Sequence, residues 1–116
     1  MIKVRNLNKS FIVGNKYKRV LKDINLYFKK GNIYLIKGIS GCGKTTLLNI
    51  LAGLDTEFDG DVFFYKSNIK KNRSARGRYR RNVGYITQQS LLIEMFTVRE
   101  NLQFVNDNNE LIEEYL

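Results

Sequence analysis

A short glycine-rich segment constrains the fold of this chain more than any other feature. Residues 38–45 match the pattern G-x-x-x-x-G-K-[ST] at every fixed position. The segment follows an apolar, β-prone run at residues 33–36, and it precedes a helical pattern at residues 44–52 that Gly53 is expected to cap. Strand, glycine loop and helix in this order predict a phosphate-binding loop. Its residues are Gly38, Ile39, Ser40, Gly41, Cys42, Gly43, Lys44 and Thr45.

Wrapping a phosphate explains why this loop has glycine at three positions. Main-chain N–H groups can wrap a polyphosphate only where the backbone comes close and φ is positive, which predicts glycine at positions 38, 41 and 43. The start of the following helix points free N–H groups and the positive end of its dipole at the same anion. The alternative is a glycine-rich turn that only caps the helix.

The side chains at the helix start predict a magnesium-bearing nucleotide. Lys44 adds a charge towards the β- and γ-phosphates, and Thr45 offers its hydroxyl to Mg²⁺. Thr46 is placed to bond the α-phosphate side. Cys42 is either a small residue that fills a tight loop or a thiol made reactive by its place at a helix start. We therefore expect ATP and Mg²⁺ as ligands.

The rest of the chain predicts a small α/β domain. Apolar patterns favour strands at residues 2–13, 20–28, 61–65 and 82–86, with a turn at Gly14–Asn15. The tail from residue 97 favours two helical pieces separated by the polar residues 106–109. The length of 116 residues allows one domain.

Composition excludes several classes of protein. The chain has one cysteine and no histidine, so we expect neither an internal disulfide nor a zinc site. It has no apolar run long enough to cross a bilayer, and its start lacks the apolar region of a signal peptide, so we expect a cytoplasmic protein. The net charge of +9 suits an anionic partner without identifying it.

Residues 38–54 extend well beyond the generic loop pattern and resemble the Walker A region of ABC transporter ATPases. The resemblance implies a P-loop NTPase fold of ABC type. Its parts would be an N-terminal antiparallel β subdomain, the P-loop strand and helix, and the start of a helical subdomain. In that family an upstream aromatic residue stacks on adenine, and Phe11 stands at that position, with Tyr17 in reserve. The alternative for Phe11 is a core residue on a strand.

A second stretch is similar to the Q-loop region of the same family. It comprises residues 83–88 and 97–102, and the resemblance implies that Gln88 reaches Mg²⁺ or its water and couples the nucleotide to a partner. The form of residues 97–102 resembles small ATPases that serve peptide, antibiotic or lipoprotein exporters. The implied partners are a transmembrane permease subunit and a second ATP-binding subunit, at the inner face of the cell membrane.

The resemblance covers residues 2–104 and implies an incomplete ABC ATP-binding domain over residues 1–116. The family's signature motif, Walker B carboxylates and switch histidine are not found, so we expect ATP binding with negligible turnover. The chain is then a fragment or a truncated product. We also expect the apolar run at residues 33–36 to be an open edge that favours self-association.

A basic segment supports the main rival function. Residues 70–81 hold seven cations and one interleaved tyrosine, which is typical of a nucleic-acid surface. The alternative is a solvated basic helix, as ABC ATPases often have before the Q-loop strand, and nucleic acid is then an unlikely partner. Two rival functions remain open, namely an ABC-type ATPase of nucleic-acid handling and a nucleotide-binding remnant.

Overall fold

The computed structural model describes residues 1–87, 92–106 and 108–115. Residue 115 is described by its backbone only. Contacts divide the chain into two compact units, Met1–Gly84 and Tyr85–Leu116. Among the described residues, no helix has the length and apolar character needed to span a bilayer.

The first unit is built on a four-stranded antiparallel sheet. Its strands are β1 (Ile2–Val13), β2 (Lys16–Phe28), β3 (Asp59–Phe64) and β4 (Ser67–Asn68). They lie in the order β2-β1-β3-β4, and each neighbouring pair is antiparallel. Gly14 opens the turn between β1 and β2 with a φ of 60°, which glycine adopts without steric cost. The predicted strands at residues 2–13 and 20–28, the turn between them and the predicted strand near residues 61–65 are confirmed.

The β1–β2 ladder contains an extra residue next to the glycine loop. Lys9 pairs with Leu21, whereas Ser10 pairs with Arg19, so Val20 has no partner opposite it. Such a bulge bends a strand and redirects a side chain. Val20 is therefore turned out of the regular alternation of β2.

The helix that follows the glycine loop forms as predicted. This helix, α1, spans Lys44–Leu51 and is followed by Gly53 with a φ of 74°. The Gly53 N–H donates to the carbonyl of Ile50 at 3.0 Å, and the Leu54 N–H donates to the carbonyl of Asn49 at 2.9 Å. This pair of bonds is a Schellman motif, so Gly53 ends the helix as expected.

The core of the first unit lies where α1 packs on the sheet. Leu7 and Val4 of β1, Val62 of β3 and Ile50 of α1 are its most deeply buried large side chains. Burial of each stabilises the fold by roughly 1.5–3 kcal/mol relative to exposure. These contacts fix α1, and with it the end of the glycine loop, against the sheet.

A second helix, α2 (Arg73–Arg80), carries most of the basic segment. Asn72 caps it by accepting a hydrogen bond from the N–H of Ala75 at 2.9 Å. Tyr79 is buried against Phe64, with ring centroids 4.6 Å apart, and its hydroxyl donates to the carbonyl of Leu51. Burial raises the pKa of Tyr79 above its usual value. The predicted basic helix is confirmed.

Two predicted strands do not form. Neither residues 33–36 nor residues 82–86 pair with another strand within the described parts of the chain. Ile33 is fully exposed and Ile86 is 97% exposed, whereas such apolar runs are typical of strands that are buried on both faces of a sheet. A strand needs a neighbouring strand on at least one of its hydrogen-bonding edges, and in the described parts of the chain the ladders join only the strands β1, β2, β3 and β4. Both predictions are wrong for this chain.

The second unit contains two short helices, α3 (Val98–Val105) and α4 (Asn109–Tyr115). They confirm the predicted pair of helical pieces. Ile112 is buried in this unit, and Arg99 of α3 pairs with Glu113 of α4. That ion pair lowers the pKa of Glu113, mainly through the hydrogen bond from Arg99 and to a smaller extent through the charge of Arg99.

Candidate phosphate-binding site

The glycine loop lies at the start of α1 and has left-handed backbone at two of its three glycines. Gly41 has a φ of 76° and Gly43 has a φ of 98°. Gly38 does not have a positive φ, so the reason predicted for this glycine is wrong. A Cβ added at position 38 would lie 2.5 Å from Sγ of Cys42. Gly38 therefore allows a close approach within the loop, and Cys42 fills the space beside it.

Gly43 lies directly against the bulge of β2. A Cβ added at this position would lie 2.8 Å from Cγ1 of Val20 and 3.2 Å from its carbonyl oxygen. These distances are shorter than ordinary van der Waals contact. The first unit thus fixes the loop from two sides, since α1 continues from it and β2 packs against it.

Lys44 folds back along the loop. Its ammonium donates to the carbonyl of Gly38 at 2.8 Å and to the carbonyl of Ile39 at 2.7 Å. Sγ of Cys42 lies 3.7 Å from the same nitrogen. The positive charge is therefore held at the loop and is not extended into solvent.

The N-terminus of α1 adds hydrogen-bond donors to this charge. Gly43 precedes the helix without any side-chain cap, and the first turn has no acidic residue. The N–H of Leu47 makes the first backbone bond of the helix, to the carbonyl of Gly43 at 2.9 Å. The N–H groups of residues 44–46 precede it and have no partner within the helix. Thr45 is exposed and Thr46 is partly buried at the same end. A cation, free N–H groups and a hydroxyl together suit an anion.

Phe11 lies on β1, opposite Lys18 of β2, and β2 is the strand whose bulge contacts the loop. The residue is 41% exposed, which excludes the alternative of a core residue. Lys9, two residues earlier on β1, pairs with Leu21, the neighbour of the bulge residue that contacts Gly43. A strand rises about 3.3 Å per residue, so the backbone of Phe11 lies roughly 7 Å along β1 from the Lys9–Leu21 pair. Tyr17 lies further along the hairpin, opposite Ile12.

Comparison with known proteins identifies the family. A family profile described as ABC transporter matches residues 21–116 of this chain. The chain belongs to the ABC transporter family. It corresponds to the N-terminal part of the ABC ATP-binding domain, with a partial α/β fold of that type.

Individual relatives agree with this family. The sulfate/thiosulfate import ATP-binding protein CysA of Pseudomonas aeruginosa is 40% identical over 89% of this chain, which covers 29% of CysA. The lipoprotein-releasing system ATP-binding protein LolD of Rickettsia bellii is 35% identical over 95% of this chain and 50% of LolD. The dimeric structure of a post-hydrolysis ATP-binding cassette bound to ADP and Pi superposes with a TM-score of 0.84. It is 31% identical, over 98% of this chain and 53% of that chain. The chain spans about half or less of the length of these relatives.

The residues that suggested an ABC Q-loop are only partly described. Gln88 lies outside the described residues, so its predicted role is not tested. Downstream of it, Thr97 and Glu100 form a capping box at the start of α3. Asn101 of α3 donates to the carbonyls of Ile93, Phe96 and Thr97 at 3.1–3.2 Å and accepts from the N–H of Ile93 at 2.8 Å. This part of the ABC resemblance thus forms an ordered turn and helix.

The basic segment of this ABC chain is partly used inside the fold. The ammonium of Lys70 binds the carbonyl of Phe58 and lies 4.8 Å from the centroid of its ring. Lys71 pairs with Asp61 at 2.9 Å, and this hydrogen bond lowers the pKa of Asp61. Tyr79 is buried and cannot stack on a base. These contacts favour the structural interpretation over a nucleic-acid surface.

Sequence patterns did not reveal Lys9, whose ammonium lies 5.0 Å from the centroid of the Phe11 ring. Lys9 is buried to 7% exposure, although lysine is rarely buried unless it is paired. The signal was its position between Leu7 and Phe11 in the alternation of β1, where an apolar residue is expected.

Proposed function

We propose that this chain binds Mg·ATP as the nucleotide-binding part of an ABC transporter ATPase. The observation that carries the proposal is the placement of the Lys44 ammonium at the glycine loop, at the start of a helix without a side-chain cap. The family, and a relative whose structure was solved with bound ADP and Pi, support the same ligand class.

The phosphates are held by main chain and by one cation. In this proposal the N–H groups of the loop and of residues 44–46 surround the β- and γ-phosphates, since they converge at one helix end. Lys44 exchanges its carbonyl contacts for phosphate oxygens. Thr46 bonds the α-phosphate side. The remaining loop residues, Ile39, Ser40 and Cys42, contribute backbone.

The magnesium ion in this proposal comes with the triphosphate. Within the described residues no group of three acidic, cysteine or histidine side chains could hold a metal. An oxygen such as the exposed hydroxyl of Thr45 suits Mg²⁺, which commonly takes few protein ligands and several phosphate or water oxygens. Gln88 is the proposed second ligand through its amide oxygen. Mg²⁺ would neutralise charge on the phosphates.

The adenine base is proposed to stack on Phe11. Its ring is partly exposed on the strand that pairs with the bulge region, and stacking of a base on an aromatic ring contributes roughly 1–3 kcal/mol. Tyr17 is the weaker candidate, because it lies further along the hairpin from the loop.

The whole protein is proposed to work as a dimer of ATP-binding subunits on a transmembrane permease, at the inner face of the membrane. The dimeric cassette in the matched structure supports the dimer, and the names of both relatives support transport. Export is the proposed direction because residues 97–102 resemble exporter ATPases, and LolD is named for lipoprotein release. This chain alone is proposed to bind ATP without turning it over, because it has no histidine and no Walker B carboxylates.

Calorimetric titration with Mg·ATP tests the nucleotide site. We expect binding by the wild type and loss of at least about tenfold in affinity for Lys44→Ala, because a charge-assisted contact to phosphate contributes about 1.5–3 kcal/mol. Lys37→Ala is the matched control, since it removes an exposed cation beside the loop and is expected to change affinity less than about twofold. Equal affinities of wild type and Lys44→Ala would contradict the site.

A salt titration separates the rival function. Binding of RNA or DNA that weakens steeply with salt, and that Arg73→Ala and Arg78→Ala reduce, would favour nucleic-acid handling. We expect Mg·ATP binding by the wild type to weaken much less steeply with salt, because the proposed nucleotide site uses one lysine and not a row of cations.

A further inference from the structure

Lys9 is a buried cation that contacts Asp55, Glu57 and Phe11. Its ammonium lies 2.8 Å from Oδ2 and 3.0 Å from Oδ1 of Asp55, and it also donates to the carbonyl of Glu57. Burial of an ammonium is unfavourable unless it is paired and hydrogen-bonded, and these three contacts provide that compensation. The position of this nitrogen is therefore tightly restricted.

Asp55 connects this cation to the helix of the phosphate site. The N–H of Asp55 donates to the carbonyl of Asn49, near the end of α1, at 3.2 Å. Its carboxylate also accepts from the N–H of Glu57 at 2.8 Å. Lys9 thus joins β1 to the segment that leaves the helix beginning at Lys44.

The same ammonium faces Phe11. It lies 5.0 Å from the centroid of the phenyl ring, within the range of a cation–π contact. A cation over one face restricts the tilt of the ring. Because Phe11 is only partly buried, part of its ring surface remains available for a ligand.

We propose that Lys9 is a positioning residue for base recognition, which holds the Phe11 ring at a fixed orientation relative to the phosphate loop through its contact with Asp55. This inference rests on the proposed function, since it assigns how the purine base is presented. A comparable pair, Lys70 over Phe58, cannot act in this way because the Phe58 ring is buried at 7% exposure.

Two ligands separate base recognition from phosphate binding. Calorimetry on the 116-residue chain would compare Mg·ATP with magnesium tripolyphosphate, which lacks the base. We expect Lys9→Met to reduce the ratio of ATP to tripolyphosphate affinity by about fivefold, while tripolyphosphate affinity stays within about twofold. Lys70→Met, the matched control, removes an equivalent lysine–phenylalanine contact and is expected to leave the ratio unchanged.

A double-mutant cycle tests whether Lys9 acts through Phe11. In the Phe11→Ala background, Lys9→Met is expected to have no further effect on the ratio, because the two residues act as one unit. If Lys9→Met loses both ligands by unfolding, Asp55→Asn gives the same comparison with a side chain of equal size. An unchanged ratio in the folded variants overturns the inference alone, whereas wild-type chain that binds neither ligand overturns the proposed function as well.

Discussion

Gly43 is subject to two independent restrictions, one conformational and one steric. Its φ of 98° lies in a region that side chains rarely adopt, and an added Cβ would lie 2.8 Å from the bulge residue Val20. Gly38 has only the steric restriction, and the atom it meets is at the end of a cysteine side chain that can rotate. Of the two, Gly43 is therefore the residue on which the loop shape depends more.

Gly43→Ala is expected to destabilise the first unit by about 2 kcal/mol or more, because backbone strain and a steric clash add at one position. Urea unfolding measures the loss, and calorimetry with Mg·ATP measures the accompanying loss of affinity. Gly77→Ala is the control, since Gly77 lies in α2 with open space around its Cβ position. That change is expected to stabilise the helix by about 0.5–1 kcal/mol. A neutral Gly43→Ala would contradict the strained loop.

Among the elements, those marked by short local patterns were predictable, whereas two apolar runs with a strand-like composition did not form strands. The turn at Gly14, the helix capped by Gly53 and the basic helix after Asn72 each follow from short patterns of residues. The strands predicted at residues 33–36 and 82–86 carry the right apolar composition, but strand formation depends on neighbours that sequence pattern does not supply.

The candidate site divides in the same way. The loop motif and Lys44 were predictable because eight consecutive residues define them. Phe11 rested on a family resemblance; the structure shows that it is exposed, and its adenine-stacking role stays a prediction. Lys9 was missed because its partner Asp55 is 46 residues away in sequence, so only the folded chain brings them together.

The capping box of α3 predicts a local effect of mutation. Thr97 Oγ1 accepts from the N–H of Glu100 at 3.3 Å, and the Glu100 carboxylate accepts from the N–H of Thr97 at 2.7 Å. Thr97→Ala removes the first bond and is expected to weaken α3 by about 1 kcal/mol. Amide hydrogen exchange of residues 101–105 measures the change. Protection equal to that of wild type would show that the box contributes nothing.

The same box predicts a pH dependence of α3. The backbone hydrogen bond from Thr97, followed by its hydroxyl, lowers the pKa of Glu100 below the ordinary 4.5. A lowered carboxyl pKa contributes stability that is fully present above 4.5 and is lost as pH falls through the folded-state pKa. The hydrogen-exchange protection of α3 in the wild type should therefore decrease as the pH is lowered from 4.5 through the folded-state pKa of Glu100. The decrease should be smaller in Thr97→Ala.

At the scale of the whole molecule, the described surface carries an open apolar segment. Ile33 is fully exposed and Leu35 is 76% exposed, while Tyr34 packs edge-on against Phe28 and Ile36 contacts the core. The segment therefore has one face on the first unit and one face in solvent. Unpaired backbone beside exposed apolar side chains favours association with other chains.

We expect the isolated chain to self-associate through this segment. The double change Ile33→Lys and Leu35→Lys should raise the concentration at which association begins by about tenfold or more, because like charges oppose edge pairing. Sedimentation velocity measures the species present. Ile12→Lys changes an exposed isoleucine on β1, away from the segment at residues 33–36, and serves as the control. It should have little effect on the concentration at which association begins. Unchanged association of the double variant would assign the contact to another surface.

The two hydrogen bonds from Lys44 to the carbonyls of Gly38 and Ile39 have a kinetic consequence. They brace the loop from inside, so its curvature does not depend on an incoming ligand for support. A nucleotide then binds to a loop that already has its bound shape, and its phosphates replace the two carbonyl groups as partners of Lys44. Little of the association free energy is consumed in ordering the chain. Differences in affinity among loop variants should accordingly arise mainly in the dissociation rate.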